Sequence, residues 1–403
     1  MAIATPARGE TLPQVLLPEI GLRTRDIALV VNDADPDSVE IARHYAQQRK
    51  LAPESVFHVS FPPGQTTMAQ ADFERLHEVL RAKLPASVQA FALAWTKPYR
   101  VECMSITSAF AFGFDRAYCA DGCRPTRPSP YFDSASNLPF TEHGLRPAMM
   151  LAGRSVDEAK AVIDRGLRSD GRWPEGTAYL LSTGDRKRNV RAASYDFVRA
   201  RLRGAYPIKR LDSNALQGAP DVAFYFTGVG HVADIATNRF VDGAIADHLT
   251  SAGGMLTDSY QTSVLEWLAA GATGSYGNTV EPCNFLDKFP AIAVVMGRYL
   301  GGETLIESYW KSVRMPGQGV FVGDPLARPF GGVRIERAGA NLVLRTRALR
   351  PGGYALQRAP GLAGPFRSIG TFTVAGYGVS QVQLPATSAE VFRLLPLAAK
   401  AIR

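Results

Sequence analysis

Residues 221–231 read Asp-Val-Ala-Phe-Tyr-Phe-Thr-Gly-Val-Gly-His. The run 221–227 is apolar at its centre and too short for a helix, so it predicts a strand covered on both faces. Gly228 and Gly230 let the chain turn tightly and clear space beside His231. A strand that ends in such a turn belongs to an open α/β sheet, where ligands bind outside the carboxyl ends of the strands.

Outward from this stretch the pattern alternates. Downstream, helices are predicted at 240–249, 264–270, 291–300 and 305–313, and strands at 253–257, 272–277 and 319–322. Upstream, Ser155 with Glu158 forms a capping box for a helix to about 167. Strand 177–183, helix 190–203 and strand 206–211 follow. An earlier repeat begins with strand 27–31, then Asp35-Pro36 as cap and first turn of a helix to about 50. Strand 56–59 comes next, then a helix to about 84 opened by Thr67 with Gln70, and strand 88–96. Residues 97–150 break the rhythm and read as an insertion or link. Alternating strands and helices predict a mostly parallel sheet with helices on both faces. Beyond 330 the helical period vanishes, and six short strand candidates between Gly- and Pro-rich turns suggest a small β-sandwich. The expected organisation is a leader at 1–25, a first α/β half at 26–150, a second at 151–330 and a basic β-sandwich at 331–403.

The chain has 403 residues and a net charge of +8. Residues 331–403 hold ten Lys/Arg against two acids, Glu336 and Glu390, and so account for the whole excess. Such asymmetry can mark an anionic partner. The basic residues are not interleaved with stacking aromatics, which argues against nucleic acid. No apolar run reaches the length of a membrane span. Residues 1–22 hold no signal-peptide core, although Ala2-Ile3-Ala4 resembles the end of a cleavage site.

Candidate chemistry lies just past the strands. His231 can act as a general base near neutral pH. Cys283, the only cysteine of the second half, is the matching nucleophile candidate, with Glu281 or Asp324 as an orienting carboxylate. Asp258 follows the predicted strand 253–257. Cys119 and Cys123 could be two ligands of a metal site, a local disulfide or two free thiols. The run Arg186-Lys187-Arg188 reads as a solvated charge cluster without a role. No phosphate-binding loop or complete dinucleotide fingerprint is present, and no cofactor or resident metal is expected.

Several blocks carry a resemblance. They include Val31-Asn32-Asp33 with Pro36-Asp37-Ser38, Lys97-Pro98-Tyr99-Arg100-Val101 and Ser129-Pro130-Tyr131-Phe132. Others are 271–277, Glu281-Pro282-Cys283-Asn284 with Lys288-Phe289-Pro290, and 319–327. Over about 25–330 the chain resembles an uncharacterised bacterial family of species with the exosortase protein-sorting system. That resemblance implies export but no defined activity. The order strand, Gly-His, helix, strand also resembles the gingipain branch of the caspase-like cysteine peptidases, which has two α/β halves and a β-sandwich. His231 matches that group's catalytic histidine. Its nucleophilic cysteine would follow the next strand, where Thr257-Asp258-Ser259 stands here.

The primary expectation is therefore an exported, non-catalytic binding or assembly protein on a degenerate caspase-like scaffold. Its partner would be an anionic envelope polymer or an exported protein. The alternative is a peptidase-like Cys/His hydrolase using His231 and Cys283. A third reading is a metal-dependent hydrolase using Asp258, His231 and Asp324.

Overall fold

A computed structural model describes residues 12–120, 122–338, 341–385 and 391–397. Its centre is a ten-stranded sheet. In chain order the strands are β1 (Ile27–Asn32), β2 (Val56–Val59), β3 (Ala90–Leu93), β4 (Ala148–Met150), β5 (Thr177–Ser182), β6 (Ile208–Asp212), β7 (Val222–Thr227), β8 (Phe240–His248), β9 (Gly274–Asn278) and β10 (Gly319–Gly323). Their spatial order is β6-β5-β7-β8-β9-β10-β4-β3-β1-β2. Strands β1 to β4 pair in parallel with one another, as do β5 to β9. Strand β10 runs antiparallel to β9, with Gly323 opposite Gly274, and meets β4 where Val322 faces Met150.

The two predicted repeats are visible in this order. In each, the second strand lies outside the first and the third lies on its other side. That reversal makes a crevice between β1 and β3, and another between β5 and β7. Helix α1 (Pro36–Arg49) begins as the sequence predicts: the Asp35 carboxylate accepts from Asp37 N, and Pro36 fills the first turn. Helix α2 (Gln70–Lys83) starts later than its predicted box, because Thr67 and Met68 form a short strand instead. Helix α3 (Ile106–Phe112) lies in the 97–150 region. Helix α4 (Val156–Ser169) is capped by Ser155, whose Oγ accepts from Glu158 N. Helices α5 (Tyr195–Arg201), α6 (Val264–Ala269), α7 (Ile292–Leu300) and α8 (Leu305–Trp310) complete the layers.

Three predicted segments differ. The helix at 240–249 is strand β8. Gly243 adopts φ +90° there, and Ala244, Ile245 and Ala246 are all buried, so the segment carries no period-2 signal to separate it from a helix. The strand at 253–257 is a turn-rich loop. The 97–150 region ends in β4, a full member of the sheet with Phe91 opposite Ala148.

The segment from Val333 to Pro396 forms two small sheets around one apolar core that includes Leu344, Leu356, Val382 and Phe392. The expected leader contributes to it: Gln14–Leu16 pairs in parallel with the strand Val391–Pro396. Several basic residues of this part face the α/β body. Arg347 donates to Ala205 O at 3.1 Å, Arg350 to Glu303 at 2.9 Å, and Arg334 to Arg172 O at 2.7 Å. Part of the charge excess is thus spent inside the molecule. Lys400, Arg403 and Glu390 lie outside the described residues, as do Asp121 and Ala2-Ile3-Ala4.

Candidate functional site

The second-half crevice is built around Arg188, to which the sequence reading gave no role. Its Nη1 donates to Asp185 Oδ2 at 2.9 Å and its Nε to Thr250 Oγ1 at 3.2 Å. Thr250 Oγ1 donates in turn to Gln261 Oε1 at 2.7 Å, which also accepts from Ala252 N at 2.8 Å. The guanidinium is thereby held across the mouth of the crevice by two separate loops.

The glycines before His231 now have separate reasons. A Cβ on Gly228 would lie 2.1 Å from the carbonyl oxygen of Arg188, so only glycine lets the two loops touch. A Cβ on Gly230 would meet the Arg188 side chain at 3.6 Å, an ordinary contact.

Two clefts share Arg188. One, of about 630 Å³, is lined by Asp185, Asn214, His231, Tyr260 and Gln261. The other, of about 380 Å³, is lined by Lys187, Thr250, Ser251, Glu281, Cys283 and Asn284. His231 is exposed and makes no hydrogen bond or ion pair with another described residue.

Beneath the clefts the end of β8 is buried, Asp247 and His248 included. Asp247 pairs with Arg191, Nη1 to Oδ1 at 2.6 Å, and Arg191 Nη2 donates to Thr227 O at 3.0 Å. His248 Nδ1 accepts from Trp267 Nε1 at 3.1 Å, which assigns its proton to Nε2. Burial, helped by the Arg191 charge, lowers its pKa to about 3, so this imidazole is a neutral part of the core.

The predicted catalytic set does not assemble. Cys283 is bonded to Cys123, and Cys103 to Cys119; no described cysteine is free. A sulfur closed in a disulfide offers no thiolate for attack. Cys119 and Cys123 are each paired elsewhere, which overturns both the metal site and the local bridge between them. Glu281 accepts from Cys283 N at 2.7 Å and shapes its own turn rather than orienting His231. Asp258 accepts from Tyr99 Oη of the first half.

Asp324 is fully buried at the other end of the sheet. It follows β10, whose last residue sits opposite the first residue of β9, whereas His231 follows the carboxyl end of β7. There it pairs with Arg49, which also pairs with Asp170. Burial raises the Asp324 pKa, against the pull of Arg49. With Asp324 so far from His231 and Asp258, the metal-hydrolase reading loses its ligand set. Among the described residues no group of three or more His, Cys, Asp or Glu side chains could hold a metal ion.

The residues that sequence reasoning missed are Lys187, Arg188, Thr250 and Gln261. Their signal was indirect: Gly228 required another backbone close by, but nothing in the sequence said which. No described helix is long and apolar enough to cross a membrane. No protein-family model, curated protein or solved structure matches this chain.

Proposed function

We propose that this chain is an exported, non-catalytic binding or assembly protein on a degenerate caspase-like scaffold. It would recognise an exported protein or an anionic envelope polymer at the crevice spanned by Arg188. The observation that carries this reading is the Cys123–Cys283 disulfide, which occupies the one cysteine of the second half. The strand after His231 ends at His248 and is followed by Leu249-Thr250-Ser251, so the position where the caspase-like resemblance puts a nucleophilic thiol has none. Two disulfides in one chain favour an oxidising compartment. The link to exosortase systems rests on the sequence blocks quoted above. The arginines that face the α/β body move the weight of recognition from the basic sheets toward the rim clefts.

The test is labelling of the full chain, purified without reductant, by a thiol-directed peptidyl probe. Native protein should take up no label and hydrolyse no peptidyl or acyl ester substrate. Labelling of Cys283 that disappears in Cys283→Ala would overturn the proposal in favour of the Cys/His hydrolase.

A further inference from the structure

The first-half crevice holds a different set of groups from the one around Arg188. It lies where β1 and β3 diverge, and its volume is about 360 Å³. This is the crevice type in which open α/β sheets hold ligands. Its apolar walls are the accessible side chains of Pro63 and Val156, over a floor of Ile41 and Trp95 that is almost fully buried. Thr257, from the loop after β8, closes one side.

Four charged side chains line it: Asp35, Asp37, Lys97 and Arg154. Two are already used. The Asp35 carboxylate caps α1 by accepting from Asp37 N at 3.1 Å. Arg154 is committed to Glu158, with Nε to Oε1 at 2.9 Å and Nη2 to Oε1 at 2.6 Å. The Asp37 carboxylate and the Lys97 ammonium make no hydrogen bond or ion pair with another described residue. The crevice therefore offers one free anion, one free cation and an apolar wall, with no net charge over the four groups.

We propose that this crevice is a binding site for a small zwitterion of the α-amino-acid class, with its ammonium on Asp37, its carboxylate on Lys97 and an apolar side chain against Pro63 and Val156. A ligand with only one charge would leave the opposite group unpaired and desolvated, which costs affinity. The volume admits a single amino acid or a dipeptide. This site is separate from the Arg188 clefts and does not depend on their function.

The test is isothermal titration of the full chain with L-leucine, L-leucyl-L-leucine, 4-methylpentanoate and 3-methylbutylamine. L-leucine or the dipeptide should bind with a Kd of about 1 mM or tighter, and the two single-charge analogues at least about tenfold more weakly. Lys97→Ala and Asp37→Asn should each weaken binding by about tenfold or more, with unchanged melting curves as the folding control. His231→Ala should leave the affinity unchanged, which keeps this result separate from any activity at the second crevice. The proposal fails if neither zwitterion binds saturably, if a single-charge analogue binds equally well, or if the Lys97 and Asp37 variants bind like the parent.

Discussion

The two crevices occupy the same place in two copies of one strand order, yet their electrostatics differ. In the second, the Arg188 guanidinium is held by Asp185 and Thr250, and a disulfide borders the neighbouring cleft. In the first, Asp37 and Lys97 remain unpaired by described residues. Topology thus sets where a crevice forms, while side chains from distant loops set what it can hold. The contrast also shows why His231 has no thiol beside it to activate: the cysteine lining the cleft that shares Arg188 is closed in a cross-link.

The largest effect should come from removing that cross-link. The Cys123→Ser/Cys283→Ser variant opens a bridge between residues 160 apart in sequence. In the chain-entropy account this costs up to about 5 kcal/mol of stability. Denaturant titration would measure it. L-leucine affinity at the first crevice should stay as it was wherever the variant is folded, and a parallel loss there would show that the two crevices are not independent.

A smaller effect separates the two glycines of the second crevice. Gly228→Ala forces a methyl against the Arg188 carbonyl, and should cost about 1–3 kcal/mol. Gly230→Ala places the same methyl at ordinary contact distance and should stay within about 0.5 kcal/mol. Equal losses from the two substitutions would refute the close approach of the 188 and 228 loops.

The third is a pH effect in the floor of the same half, absent at neutral pH and growing as the pH falls. His248 faces Trp267 and lies in the fields of Arg191, Arg188 and His231, and its folded pKa of about 3 is below the ordinary value of 6.5. The unfolded chain therefore binds the proton first as pH falls. The contribution of neutral His248 is complete above about pH 6.5 and declines toward pH 3, by at most about 1.4 kcal/mol per pH unit. Thermal melts of the parent and His248→Gln between pH 7 and 5 should converge as the pH drops. A constant difference would mean that His248 is not buried in its neutral form.

Local chemistry in the sequence was enough for much of this protein. Asp35-Pro36 and Ser155 mark the starts of α1 and α4 because a cap needs only a neighbour two or three residues away. The apolar runs at 27–31, 177–183 and 221–227 mark β1, β5 and β7 because burial on both faces excludes polar residues. Strand β8 was not legible, since a short, fully covered segment with an inner glycine has no period of its own. Only the tertiary structure decided the partners of each sulfur, the distance of Asp324 from His231 and the pairing of Gln14–Leu16 with the last strand. These depend on contacts between residues far apart in the chain, and such contacts are set by how the whole sheet packs rather than by any local pattern.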